Sequence, residues 1–337
     1  MKDSEINLHS NNSVVTVIDE TDKVVAEKRL PNDLAKILAF LEPHRDELGG
    51  VVVESTFNWY WLVDGLQEAD HTVHLANTTA IKKYEGLKHS GDETDARHLA
   101  HLLRLGILPT GTILPPEHRA VRDLARKRMQ LVQTRSTQVL SIETILSRTT
   151  GRRLSSNQIK RLKVTDLPAL GLSEDVALAI QAHVAVIEVL QQQIAEVEKR
   201  LQERVELEDD FKRLMTVPGI GTVLATMIYL ETGPIDRFAD AGNYASYARC
   251  VNSKYSSNGK KKGQGNTKNG NKYLSWAFVE AAHLATRFYP EAKRFYERKK
   301  AKGSTALATK ALAHKLARAC YYILKQREPF DMARCFA

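Results

Sequence analysis

The chain has 337 residues, 49 Lys plus Arg against 40 Asp plus Glu, three Cys and a hydrophobic share of 43%, a balance that fits a soluble protein of two or three domains. No apolar run approaches the roughly 20 residues a bilayer helix needs, and the opening MKDSEINLHSNN is too polar for a secretory signal. Cys250, Cys320 and Cys335 stand too far apart for a C-x-x-C zinc site or a disulfide framework, so a cytoplasmic protein with no membrane association is expected.

Charge is distributed in blocks. Residues 1–116 carry 11 basic and 18 acidic side chains, 117–165 carry 12 and 3, 166–210 carry 3 and 11, and 211–337 carry 23 and 8. Two basic blocks alternating with two acidic ones concentrate positive field on particular surfaces, which favours a polyanionic partner bound in a salt-sensitive way. Ordinary solvated helix faces are the alternative.

In chain order, SVVTVIDETDKVVAEKRL (13–30) reads as a hairpin turning at Asp19 to Lys23. A helix follows from Asp33, where LAKILAFL has helical apolar spacing behind Pro31 and Asn32. GGVVVESTF is a buried strand ending at Glu54; the amphipathic WYWLVDGLQEA and the strand HTVHLAN come next. Two strands, helix, strand, helix, strand indicate an α/β layer.

From Glu117 to Arg148 the pattern is one long basic helix, with Arg122, Arg126, Lys127, Arg128 and Arg135 among its cations. In residues 173–210, Ile180, Ile187, Ile194 and Leu201 recur every seven, with Val176, His183, Leu190 and Val197 on the other seam. This is a coiled-coil heptad in which His183 is the poor fit. The seam pairs either with its own copy, the preferred reading, or with the basic helix.

At Leu214 the sequence becomes LMTVPGIGTVLATMIYLETG. Its Gly219 and Gly221 suit a helix-hairpin-helix turn whose backbone N–H groups approach a DNA phosphate, or a purely structural tight turn. Residues 252–272, NSKYSSNGKKKGQGNTKNGNK, hold six Lys, four Gly, five Asn and no acid, as a polar linker would; between amphipathic helices they also suit a strand-lined loop that meets nucleic acid. Lys260, Lys261, Lys262 and Lys268 are its candidate phosphate contacts, and Arg122, Arg126, Lys127 and Arg128 the candidate nucleic-acid contacts of the long basic helix.

Glu54 at a strand end, with Asp92 and Asp95 three apart at a helix start, has the donor types that hold divalent metal for phosphodiester chemistry. Acids at a helix start are also favoured by the dipole alone. His98 and His101 invite a zinc reading, against which stands the packed amphipathic look of their helix. Ser256 and Ser257 place hydroxyls among cations, where a base or metal could activate one as a nucleophile.

VVVESTFNWYWLVDGL, SGDETDARHLAHLLR, LMTVPGIGTVLATMIYLETG and YSSNGKKKGQGNTKNGNKYLSWAFVEAAH, in this order, resemble the DEDD-type transposases of the IS-one-ten family, particularly its eleven-eleven branch, from about Leu8 to Arg327. The resemblance implies an N-terminal RuvC-like, RNase H-type α/β domain (1–112), a basic helical region (113–165), a coiled coil (166–211) and a mainly helical transposase domain with a catalytic serine (212–337). It implies an RNA-guided DNA recombinase that binds a structured bridge or seeker RNA with donor and target DNA, and assembles from dimers into a tetramer. By the same resemblance, Glu54, Asp92 and Asp95 hold Mg²⁺, and Ser257 forms a 5′-phosphoserine link in a site shared between subunits.

One departure bears on activity. Family members open with an apolar strand ending in Asp just before LHSNN, whereas here that strand is reduced to MKDSEI, with Asn7 at the aspartate's position. A neutral carbonyl replaces a carboxylate, so weakened catalysis and a missing central strand are expected, with Asp3 or Asp19 as substitute acids. The rival readings are a metal-dependent nuclease or junction resolvase, which needs no Ser257, and a non-catalytic RNA- or DNA-binding protein.

Overall fold

The structure, a computed structural model, describes residues 1–81, 92–251, 255–258, 260–263 and 269–337, with the backbone alone for residues 79, 92–96, 255–257 and 261. It divides into two compact units, Met1–Pro116 and Glu117–Ala337. The first is mixed α/β around a sheet containing parallel strands, and the second is mostly helical.

In the first unit, β1 (Lys2–Leu8), β2 (Asn12–Ile18), β3 (Val24–Pro31), β4 (Leu48–Glu54), β5 (Val73–Ala76) and β6 (Thr110–Gly111) form one sheet in the order β3-β2-β1-β4-β5-β6. β1, β2 and β3 pair antiparallel, β1, β4 and β5 pair parallel, and β6 closes the edge antiparallel. The first strand is therefore present and central, which corrects the expectation of a missing one. Its residues pair on both sides, and that backbone ladder does not depend on apolar side chains.

Alternation divides β1. Ile6 and Leu8 join Val15, Val17, Val51 and Val53 in a core with Ile37 and Leu41 of α1 (Leu34–Leu41) and Leu62 and Leu66 of α2 (Tyr60–Glu68). Asp3, Glu5 and Asn7 take the opposite face, where Val52 and Ala76 pack with Leu99 of α3 (Asp92–Arg104).

In the second unit, α4 (Pro116–Thr150) and α6 (Glu174–Val205) lie antiparallel, joined through α5 (Ser156–Ile159), whose first turn has a Ser155–Gln158 capping box. Arg128 meets Glu198, and Gln138 meets His183 at 2.7 Å, so sequence positions run in opposite directions along the pair. Ile180, Ile187, Ile194 and Leu201 are buried within the one chain, the first two against Val139, Ile142 and Leu146 of α4. This corrects the preference for pairing that seam with a second copy: heptad spacing marks a buried seam without naming its partner. His183, the poor heptad residue, is accommodated by Gln138.

The remaining helices are α7 (Asp209–Leu214), α8 (Thr222–Thr232), α9 (Ala241–Tyr247), α10 (Lys272–Phe288), α11 (Pro290–Lys300), α12 (Thr305–Gln326) and α13 (Met332–Phe336), with a hairpin of β7 (Tyr255–Ser257) and β8 (Lys260–Gly263). Fully buried alanines, Ala277, Ala281 and Ala285 on α10 and Ala308, Ala313 and Ala317 on α12, let helix backbones approach closely.

Candidate functional site

β1 and β4 run side by side in parallel, and their last register pair is Ile6 with Val53. One residue further, Asn7 and Glu54 stand next to each other at the carboxyl ends of the strands. Asn7 is 7% exposed, and Glu54 is half-buried. Glu5 lies opposite Val52 in the same ladder, and Val52 packs on Leu99. Positions 5, 7, 52 and 54 thus share the face covered by α3.

The direction of α3 follows from its ion pairs. Arg104 makes two hydrogen bonds to Asp22 in the β2–β3 turn, at 2.7 and 2.6 Å, and Arg97 reaches Glu27 further along β3 at 3.0 and 3.2 Å. The C-terminal turn of α3 therefore lies over the start of β1, and its N-terminal turn lies toward the ends of β1 and β4. Helix positions 92, 95, 99 and 102 form one stripe, and Leu99 in that stripe faces the sheet. The backbone at Asp92 and Asp95 is thereby brought to the sheet edge that carries Asn7 and Glu54. The residue types at these four positions carry oxygen donors, three carboxylates and an amide carbonyl, a set that suits a hard divalent cation.

Neither suggested substitute acid is near that edge. Asp19 folds back on its own turn, accepting from Thr21 and Lys23. Asp3 is four residues from Asn7 along the strand, about 13 Å, and burial raises its pKa above the ordinary range despite the charge of His74 and the chain terminus. The acid that hydropathy overlooks is Glu5, fully buried and two residues from Asn7, about 7 Å along the same face. The alternating polar residues of D-S-E-I-N-L were its signal. His101 pairs with Asp22 at 2.9 Å, at the opposite end of α3 from Asp92, and among the described residues no cluster of three or more His, Cys, Asp or Glu could hold a metal.

In the helical unit, Ser257 is the last residue of β7, opposite Lys260, and Ser256 is opposite Lys261. Asn258, directly after Ser257, has φ +52°, the left-handed conformation of a tight hairpin turn. Lys260 and Lys262 are exposed; Lys268 lies outside the described residues.

The two glycines of the P-G-I-G turn have different environments. Gly219 has φ +80°, and a Cβ there would come within 2.2 Å of the Ala281 carbonyl oxygen, so its lack of a side chain serves the packing of the turn on α10. Gly221 precedes α8, is exposed, and has open space where a Cβ would stand.

The four cations expected to meet RNA are also unlike one another. Arg126 forms a two-pronged contact with the buried Glu231, at 2.5 and 2.9 Å, and its guanidinium lies 4.6 Å from the Tyr273 ring centre. Burial works against the Arg126 charge, but the hydrogen bonds and charge of Glu231 outweigh it and raise its pKa above the ordinary value. Arg128 donates from two nitrogens to Glu198, and Arg122 is 15% exposed beside Asp123. Lys127 is exposed, bonded to Gln130 at 2.8 Å.

Comparison with known proteins finds transposase families over both units. A DEDD transposase profile of IS110 type, described as "Transposase", matches residues 6–150, and the profile "Transposase IS116/IS110/IS902 family" matches residues 211–297. The chain is 24% identical over 237 residues to a probable family 20 transposase of Pseudomonas aeruginosa, covering 68% of each protein. It is 28% identical over 148 residues to the transposase for insertion sequence element IS1328 of Yersinia enterocolitica, covering 42% of this chain and 43% of that one. The two profiles, both of IS110 type, together take in more than half of the sequence, and the chain belongs to the IS110 family of DEDD transposases.

Proposed function

We propose that this transposase is an RNA-guided recombinase that excises and inserts an insertion sequence through a covalent serine intermediate. The observation that carries the reading is the meeting of Asn7, Glu54 and the start of α3 at one sheet edge, in a chain that also presents Ser257 at the turn of a lysine-bearing hairpin. The RuvC-like reading of the sheet rests on its order, with β1 between an antiparallel and a parallel neighbour.

Glu54, Asp92 and Asp95 are the residues that would hold Mg²⁺, with the Asn7 carbonyl as a weaker neutral donor. When bound, the ion would stabilise charge developing on a phosphate oxygen. Ser257 supplies the nucleophile: its Oγ bonds to phosphorus as its proton is released to solvent, the 3′ oxygen leaves with the bonding pair and takes up a proton from solvent, and the strand is held by its 5′ phosphate. The displaced phosphodiester is conserved in the serine ester, so rejoining requires no external energy. Lys260, Lys261 and Lys262 neutralise the backbone on either side of the attacked phosphate, and Lys268, further along the sequence, adds a fourth cation to this role. Gly221 offers the start of α8 to a further phosphate. Lys127, with Arg122 nearby, contacts a structured guide RNA.

Sheet edge and hairpin must act on one phosphodiester, which the reading assigns to assembled copies, dimers joining into a tetramer. Assembly then uses surfaces other than the buried heptad seam. The outer face of α6, with Leu178 at 64%, Val186 at 43% and Val189 at 60% exposure, is available for this.

The test is to copurify the full chain with its nucleic acid, add matched donor and target duplexes with Mg²⁺, and look for a protein-linked strand on a denaturing gel. The adduct should vanish in Ser257→Ala. Cleavage that persists in that variant would instead establish a metal-dependent nuclease or resolvase. The neutral Asn7 favours a second reading, a nucleic-acid-binding protein without catalysis, for which RNA copurifies and neither cleavage nor adduct forms.

A further inference from the structure

Away from the serine hairpin and the P-G-I-G turn, the helical unit contains a cleft of about 830 Å³ between α11, α12 and the segment leading into α13, with Cys250 and Val251 on its wall. That volume lies within the range of built ligand sites, roughly 300–1,000 Å³. Its lining holds five Lys and Arg against two acids, and one of those acids, Asp331, already caps α13 by accepting from the Arg334 N–H.

α12 has two unlike faces. Ala308, Leu312, Ala313, Leu316, Ala317 and Cys320 are buried in the bundle, while Lys310, His314, Arg318 and Tyr322 line the cleft at four-residue intervals, about 6 Å per step. Among the described residues neither Lys310 nor Arg318 is in an ion pair, whereas Lys325 at the end of the same helix is paired with Asp236. Burial and the neighbouring Arg318 hold His314 below its ordinary pKa. Tyr322 is 41% exposed, and its ring stands at 82° to that of Tyr321 with the ring centres 5.5 Å apart. Two cations outside any ion pair among the described residues, followed by a part-exposed aromatic ring, form the pattern that takes an unpaired nucleic-acid strand, phosphates on the cations and a base on the ring.

We propose that this cleft binds an unpaired stretch of the substrate DNA strand, with Lys310 and Arg318 on its phosphates and Tyr322 stacked on a base. Val251 on the cleft wall stands six residues before Ser257 in the sequence. The choice of DNA rests on the recombinase reading above; the cleft's affinity for a single strand does not require the serine chemistry.

The full-length Ser257→Ala protein, without divalent metal, is titrated by fluorescence anisotropy with oligo-dT, with a duplex of the same length and with oligo-U. Replacing Lys310 and Arg318 together by Ala should reduce the slope of log affinity against log salt for oligo-dT by about 1.4, two single-strand phosphate contacts. Tyr322→Ala should weaken oligo-dT binding about fivefold or more with the slope unchanged, and Tyr322→Phe should restore it. An unchanged slope in the double variant, or losses as large for the duplex as for the single strand, would overturn the proposal. Oligo-U held more tightly through the same three residues would overturn the DNA assignment in favour of RNA. Because Ser257 is already absent, failure to form a covalent adduct elsewhere leaves this result standing, and failure here leaves the adduct test standing.

Discussion

Replacing Arg126 by Met distinguishes a structural cation from an RNA-binding one. Glu231 is 2% exposed, and its carboxylate accepts from Arg126 Nε and Nη2 at 2.5 and 2.9 Å and from Asn271 Nδ2 at 2.6 Å. Methionine keeps most of the aliphatic bulk but leaves the carboxylate with the Asn271 amide in place of a guanidinium. Breaking a buried pair from one side costs about 3–5 kcal/mol, because an uncompensated charge remains. For a unit of this size that corresponds to a fall in Tm of about 6–20 °C, measurable by far-UV circular dichroism. Adding Glu231→Gln should recover most of the loss, since a neutral amide can still pair with Asn271. Were Arg126 mainly an RNA contact, the single variant would melt within the small range of surface substitutions, about ±0.5 kcal/mol, while guide-RNA affinity fell. That result would refute the assignment of Arg126 to the fold.

Gly219→Ala should destabilise the helical unit by about 2 kcal/mol or more, from the left-handed backbone and the overpacking against Ala281, whereas Gly221→Ala should melt with the parent. Asn7→Asp should increase the yield of Mg²⁺-dependent covalent adduct; an unchanged rate would show that the neutral side chain is no handicap. Burial pushes the Cys250 thiol up to about 12 and raises the Cys320 and Cys335 thiols too, so native protein at pH 8 should resist iodoacetamide until denaturant is added. Hydrogen bonds from Arg104, then His101, hold the Asp22 carboxyl below its usual range. Its contribution is therefore fully present above the unfolded value, about 3.9, and is lost as pH falls through the lower folded value. The stability difference between the parent and Asp22→Asn should shrink over that acid window in chemical denaturation.

What the sequence disclosed depended on whether local pattern or a distant partner decides the outcome. The β2–β3 hairpin, the valine-rich β4 and the Asp33 start of α1 are written in adjacent residues, and all are present. β1 was misjudged because hydropathy asks what a strand packs against, while Lys2–Leu8 is held by a ladder on both edges and faces Asp3, Glu5 and Asn7 away from the main core. The heptad of α6 correctly announced a buried seam, but spacing is the same for a partner in trans and for α4 in the same chain.

Charge gives the sharpest case, because a count of cations is not a count of available cations. The block at 117–165 has the larger excess for its length, yet Arg126 and Arg128 are neutralised by Glu231 and Glu198, acids 105 and 70 residues away in sequence. The binding capacity of that block is consequently smaller than its composition implies. Lys310 and Arg318, on the alanine-rich α12, line an open cleft with no acid paired to them among the described residues. Salt-dependent binding should therefore respond more to neutralising those two residues than to neutralising Arg126 and Arg128, the reverse of the order that the charge blocks alone would give.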